Sequence, residues 1–325
     1  MAQNKAKKSG GKYGRAKRST VSRTGGMGGT LAHYIIATCT VVAVAVLAAV
    51  VKKFGIPTEL PIGKSGKPAA ENSEVQVRFL DVGQGDCTLV CSDGKYMLID
   101  TGDRDGDNTV INYLENMGVT ELEYLIITHP HSDHMGEAAE IVESFDIGKV
   151  IMPQVPDDMV PTSAVYENLL DAMDDKGKKF TAGKDSEYAL GECGIQIYAP
   201  HEEYSDLNNY SLIVKLTHGE NSFLVTGDCE VQEEKELLER GCDLSADVLK
   251  AAHHGSDTSS SSEWLQAVLP EYTIISCGAN NKYGHPHDDT VSRIGKYSEN
   301  VYITAEDGTV IFDSDGKGIS VRQEK

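Results

Sequence analysis

Four residues able to ligate a metal fall within six positions in His129-Pro-His131-Ser-Asp133-His134, directly after the apolar run Tyr124-Leu-Ile-Ile-Thr128. A strand that ends there delivers several ligands into one small volume. Neutral imidazole together with carboxylate suits Zn²⁺, Mn²⁺ or Fe, whereas Ca²⁺ and Mg²⁺ sites are built from oxygen ligands. The bland alternative is a polar turn that happens to be rich in histidine. Four ligand-type residues in six positions weigh against it.

A site for two ions needs more ligands than one cluster supplies, and an anion able to reach both. Phe223-Leu-Val-Thr-Gly-Asp228 reads as a strand, a glycine turn and a carboxylate, so Asp228 is the candidate bridge. Asp247-Val-Leu-Lys-Ala-Ala-His253-His254 is a second strand ending in imidazoles, and Leu98-Ile-Asp100-Thr-Gly102 a third ending in a carboxylate. Each alone is weak, because Asp after a strand is commonly a turn residue. Together with the histidine cluster they converge on one chemistry.

The elements that must position these groups alternate between strands and helices from Val75 onward. Short β-rich runs at Val75–Val82, Cys87–Cys91 and Tyr96–Ile99 predict an antiparallel meander. A helix is expected over Asn108–Met117, a buried strand at Tyr124–Thr128, and a single helix over His134–Ser144. Lys149–Met152 reads as a strand and Ser163–Lys176 as a helix capped by Ser163. Strands are expected again at Ile195–Ala199, Ser211–Thr217, Ser222–Thr226 and Asp247–Ala251, with a charged helix at Glu230–Arg240. Helix Ser262–Leu269 and strands Tyr272–Ser276, Val301–Thr304 and Thr309–Phe312 complete the series. Two meanders, each followed by helices, predict two stacked sheets with helices on their outer faces.

Tyr34 to Val51 is an 18-residue run without a charge. As a helix it would be about 27 Å long, close to the hydrocarbon core of a bilayer. A cleaved signal peptide is the rival reading, but Lys52-Lys53 resemble a membrane edge more than a cleavage site. The expectation is a basic, disordered tail over 1–33, a transmembrane helix over 34–51, a linker over 52–73 and one catalytic domain over 74–325. The tail holds eight Lys/Arg, which predicts a cytoplasmic N-terminus and an extracytoplasmic domain. Of the 325 residues, the first 53 carry ten Lys/Arg and no Asp or Glu, leaving 20 basic and 50 acidic residues and a net charge of −30 beyond them. Such a body repels polyanions. Seven cysteines show no CxxC pair and no disulfide framework, and read as buried apolar residues.

The set Asp100, His129-x-His131-x-Asp133-His134, Asp228 and His253 resembles the metallo-β-lactamase-fold superfamily. Within it, the chain is similar to the hydrolase domain attached to the competence DNA-uptake channel (ComEC type). The runs that carry this are Phe79-Leu-Asp-Val-Gly-Gln-Gly-Asp86, Asn208-Asn-Tyr-Ser-Leu212, Thr226-Gly-Asp228, Leu249-Lys-Ala-Ala-His-His-Gly-Ser256 and Tyr283-Gly-His-Pro286. They span nearly all of 75–313. The polytopic channel has no counterpart here, since one apolar span cannot form a pore.

The resemblance implies an αββα sandwich with a one- or two-metal hydrolytic site, holding Zn²⁺ or Mn²⁺. It implies that His129 and His131 hold one ion, that Asp133, His134 and His253 hold the other, and that Asp228 bridges them. A further ligand to the first ion stays open between His201 and Asn208/Asn209. Asp100 would orient ligands by hydrogen bonding, the alternative being a plain turn carboxylate. The catalytic expectations fall on Asp133, which would position the nucleophile, and on His285, which would contact substrate or donate a proton; a solvent-exposed histidine is the alternative for His285. Lys250 would stabilise a negative transition state or snorkel at the surface.

The chemistry implied is hydrolysis by a hydroxide that bound ions make available near neutral pH. The expected function is a membrane-anchored, metal-dependent hydrolase of phosphodiesters, DNA among them. A hydrolase of a lactone, lactam or other carboxylic ester is the alternative on the same site, and a non-catalytic metal-binding module is a third reading from another class.

Overall fold

Strands that bury residues on both faces need cover on both sides. Leu89 and Leu98 join one apolar cluster, while Val90, Met97 and Ile99 on the same strands join another. The period-two alternation of side chains therefore serves two cores at once. In the computed structural model, which describes residues 75–104 and 108–325, two packed sheets meet that demand.

The first sheet is built from β1 (Val75–Phe79), β2 (Thr88–Ser92), β3 (Lys95–Ile99), β4 (Glu121–Ile126), β5 (Asp146–Pro153) and β6 (Phe180–Gly183). The second holds β7 (Ser186–Leu190), β8 (Cys193–Tyr198), β9 (Ile213–His218), β10 (Asn221–Val225), β11 (Val248–Lys250), β12 (Tyr272–Ile275) and β13 (Asn300–Ile303). The chain then returns to the first sheet with β14 (Thr309–Ser314) and β15 (Ile319–Glu324), giving the orders β15-β14-β1-β2-β3-β4-β5-β6 and β13-β12-β11-β10-β9-β8-β7.

Three cores mark four layers. Val77, Phe79, Val214, Phe223, Ile274 and Phe312 fill the space between the sheets. Val110, Leu114, Ile141 and Leu169 belong to helices packed on the outer face of the first sheet. Leu237, Trp264, Leu265 and Ile294 do the same for the second. The expected αββα sandwich is observed.

β1, β2 and β3 form the expected antiparallel meander. Ser163 caps its helix, its hydroxyl accepting the Tyr166 N–H. The single helix expected over His134–Ser144 is instead two, Ser132–Met135 and Ala138–Ser144. Between them Gly136 lies against the backbone of residues 102–104, where a Cβ would come within 2.3 Å of the Arg104 nitrogen.

The tail, span and linker expected over 1–73 lie outside the described residues. Among the described residues no helix is long and apolar enough to cross a membrane. The six described cysteines are free; five are buried, and Cys242 is partly exposed.

Candidate metal centre

Loops that follow parallel strands leave the sheet on one edge. β3 pairs parallel with β4, and β10, β11 and β12 pair parallel with one another. The loop after β3 carries Asp100, that after β4 the histidine cluster, that after β10 Asp228, and that after β11 His253 and His254. Segments more than a hundred residues apart thus meet at one edge of the sandwich.

His134 Nε2 lies 3.2 Å from Asp228 Oδ1. His254 Nε2 lies 3.3 Å from Asp133 Oδ2 and 3.6 Å from Asp228 Oδ2. One ligand atom from each of Asp133, His134, Asp228 and His254 falls within 4.8 Å of the others. Both imidazoles are fixed from behind, His134 Nδ1 at 2.8 Å from Asp100 Oδ2 and His254 Nδ1 at 2.9 Å from the Ser276 carbonyl. With Nδ1 donating in each ring, Nε2 is the bare nitrogen that a cation takes.

Unmet bonding points the same way. His134 Nε2, His254 Nε2 and Asp228 Oδ1 are buried and have no hydrogen-bond partner among the described residues. Converging buried polar atoms of this kind are costly unless something binds them. Nitrogen and carboxylate donors in this number fit a Zn²⁺- or Mn²⁺-class ion.

Charge adds a third argument. Burial works to lower both imidazole pKa values, but the surrounding carboxylates override it. Asp228, Asp100 and Asp86 hold His134 well above the usual imidazole range, and Asp228 and Asp86 raise His254 to about 10. Asp228 resists its own burial and stays well below the usual carboxylate range because His254 and His134 face it. Carboxylates that keep protons on two buried imidazoles would also favour a metal cation in their place, with release of those protons.

His129 and His131 stand beside this group. His129 Nε2 is 2.9 Å from His131 Nδ1 and 3.9 Å from Asp228 Oδ2. Burial, with His134 next to it, pushes the His129 pKa well below its ordinary value and leaves a neutral ring. A cavity of about 280 Å³ opens over the cluster. His131, Asp133, Asn208, Asp228, His254 and His285 line it.

Five sequence expectations change or sharpen here. His253, expected as a ligand, is not in the four-residue group, where the imidazole is that of its neighbour His254; His253 sits at the cavity wall with Nε2 3.9 Å from Asp228 and Nδ1 3.3 Å from Glu230. His253 and His254 both adopt left-handed backbone angles, with φ of 50° and 53°. Two such residues in succession break strand alternation, so spacing along the sequence could not say which ring turns inward.

His201 is far from this role. Its exposed ring pairs with Asp185 at 3.1 Å and its N–H is bound by Glu236. Asn208 lines the cavity instead, and its Oδ1 is buried without a hydrogen-bond partner among the described residues. Asn209 is committed elsewhere, to Glu230 and the Glu233 N–H.

Lys250 is neither a surface lysine nor part of the cavity wall. It is 1% exposed and forms a buried ion pair with Asp86. Asp100 is more than a turn carboxylate, since it accepts the Thr128 N–H and hydroxyl as well as His134. His285 lines the cavity, and burial together with the His254, His253 and His287 rings lowers its pKa to about 4. A ring that is neutral at pH 7 suits substrate contact better than proton donation.

The comparisons agree with this fold. The family model of the metallo-beta-lactamase superfamily matches residues 80–279. ComE operon protein 3 of Bacillus subtilis is 30% identical over 74% of this chain and 33% of its own length. Competence protein ComA of Neisseria gonorrhoeae is 28% identical over 78% of this chain and 34% of its own. The chain thus spans about a third of the length of these relatives. A mutant of the CmlA beta-hydroxylase has a similar fold, with 13% identity, a TM-score of 0.50, and coverage of 83% of this chain and 59% of that one.

Proposed function

The chain belongs to the metallo-beta-lactamase superfamily, and from that premise we propose that it is a metal-dependent hydrolase of phosphodiesters, with DNA as the candidate polymer. One observation carries the reading: bare, buried donor atoms of His134, His254 and Asp228, joined by Asp133, converge within 4.8 Å beneath an open cavity. A Zn²⁺- or Mn²⁺-class ion, when bound there, would supply Lewis acidity and would lower the pKa of water toward neutral pH.

The remaining work belongs to this chain's own residues. Asp133, His134, Asp228 and His254 would hold one ion. His129, His131 and Asn208 would hold a second, with Asp228 between the two. Asp100 and the Ser276 carbonyl keep the ligating rings in the required tautomer. Asp133, partly open to the cavity, accepts a hydrogen bond from the attacking water and aims it. His285 contacts the substrate from the far loop.

Phosphodiesters rank ahead of carboxylic esters because curated relatives carry competence names. The net charge of −30 beyond residue 53 argues for a few local contacts rather than a long polyanion track. Anchoring through residues 34–51 with an extracytoplasmic catalytic body is part of the proposal, resting on the uncharged 18-residue run.

The test is an activity screen of the full chain with Zn²⁺ or Mn²⁺ on single-stranded DNA, duplex DNA, bis-p-nitrophenyl phosphate and a chromogenic lactam. Metal-dependent phosphodiester cleavage is expected. Turnover of the lactam alone would transfer the site to carboxyl chemistry. A chain that retains no transition metal after dialysis would be a binding module rather than an enzyme.

A further inference from the structure

Gln84 lies on the cavity wall and takes no part in holding the cluster. It belongs to the loop that leaves β1 and ends in Asp86. Its Oε1 accepts the Gly278 N–H at 3.1 Å. That bond decides which end of the amide is which, because only an oxygen can accept from a backbone N–H. The Nε2 amino group must then point the other way. It is buried and has no acceptor among the described residues.

This amide is also held still. Gly278 packs so closely on the loop that a Cβ there would come within 2.7 Å of the Gln84 backbone nitrogen, so the loop carrying the amide has no room to shift. The Gly278 carbonyl is tied in turn to Asn281 at 2.9 Å, and Asn281 also binds the His285 N–H. A donor fixed before substrate arrives costs little to use.

The cavity needs such a donor. Asp133 and Asp228 line it, and among the described residues no Lys or Arg does. Lys250 is neutralised by Asp86 behind the wall. An anionic substrate oxygen that is not on a metal is therefore met by neutral donors of the wall, of which Gln84 Nε2 has no partner among the described residues. We propose that Gln84 Nε2 donates to an anionic oxygen of the bound substrate, in the reading above the non-ligating oxygen of a monoanionic phosphodiester. The inference rests on the phosphodiester reading above and adds to it a residue that selects the charged oxygen.

The experiment is calorimetric titration of the Zn²⁺-loaded full chain with inorganic phosphate, for the wild type, Gln84→Ala and Gln84→Glu, with zinc content measured on each. Gln84→Glu keeps an oxygen for the Gly278 N–H but replaces the donor by an acceptor. The expected result is weaker phosphate binding by on the order of tenfold for Gln84→Ala and more for Gln84→Glu, at unchanged zinc content. Wild-type affinity in both variants overturns the assignment, since a water molecule would then suffice for Nε2. Loss in Gln84→Ala with full retention in Gln84→Glu also overturns it, because the side chain would act only by holding Gly278. Wild-type turnover of bis-p-nitrophenyl phosphate against lactam is scored in parallel. Weakened phosphate binding beside lactam-only turnover supports the donor and sinks the phosphodiester reading, so the two fail separately.

Discussion

Asp100→Asn changes one charge and almost no volume at the point where the cluster is most tightly specified. Asp100 is fully buried, with Oδ1 accepting the Thr128 N–H at 2.7 Å and Oδ2 accepting from the Thr128 hydroxyl at 2.7 Å and His134 Nδ1 at 2.8 Å. An amide cannot serve both sides. With its oxygen toward the Thr128 N–H, its NH₂ meets His134 Nδ1 and drives the ring to the tautomer that protonates Nε2, the atom a metal needs bare. Reversed, the NH₂ faces the Thr128 N–H and two buried donors oppose each other.

Loss of one hydrogen bond to a charged group costs about 1.5–3 kcal/mol. Replacing the hydrogen-bond partner of a ligating histidine lowers metal affinity roughly 10- to 100-fold, or about 1.4–2.8 kcal/mol. The ranges overlap near 2 kcal/mol, so Kd for Zn²⁺ should rise by about 30-fold. Burial pushes the Asp100 carboxyl upward against the pull of His134, so the comparison is made across a series of pH values. Competition against a chromophoric chelator measures the affinity, and circular dichroism confirms the fold. A folded Asp100→Asn chain with wild-type zinc affinity would refute the argument that His134 is poised through Asp100.

Two further outcomes follow from the geometry. His254→Ala should weaken zinc by more than about 100-fold, while His253→Ala should stay within about threefold, because a ligand counts for more than a neighbour at the wall; elemental analysis after dialysis reads both, and the reverse order would restore His253 as the ligand. Burial raises Glu234 from an ordinary 4.5 to about 7, although the Ser260 and Ser261 N–H groups bind its carboxylate. A folded pKa above the unfolded one means that the folded protein holds the proton longer, so this stability is fully present below about pH 4.5 and is lost as pH rises through about 7. The shift corresponds to roughly 3 kcal/mol, and Glu234→Gln should flatten the fall of Tm between about pH 5 and 7. Parallel Tm profiles for the two proteins would show that another group carries it.

The chemistry was legible wherever it depended on neighbours in sequence. His129, His131, Asp133 and His134 fall within six positions after β4, so any fold that ends a strand at Thr128 brings them close. Asp100 and Asp228 announced themselves as carboxylates after apolar runs, and two meanders each followed by helices already pointed to two stacked sheets. Ser163 was readable as a cap because capping is local. Strands β6 and β7 were not legible, since Phe180–Gly183 and Ser186–Leu190 lack a sustained apolar alternation and lie at sheet edges, where pairing with a neighbour supplies the order. That His254 rather than His253 joins the four-residue group depends on two left-handed residues after β11, and the burial of Lys250 depends on Asp86, which lies 164 positions earlier. Asn208 rather than His201 lines the cavity, because the turn holding His201 is bound to Glu236 on a helix. Residue type and local spacing settle which chemistry a segment can offer. Which side chains meet is settled by the pairing of distant strands and by backbone twists at their ends, because only these set direction across the fold.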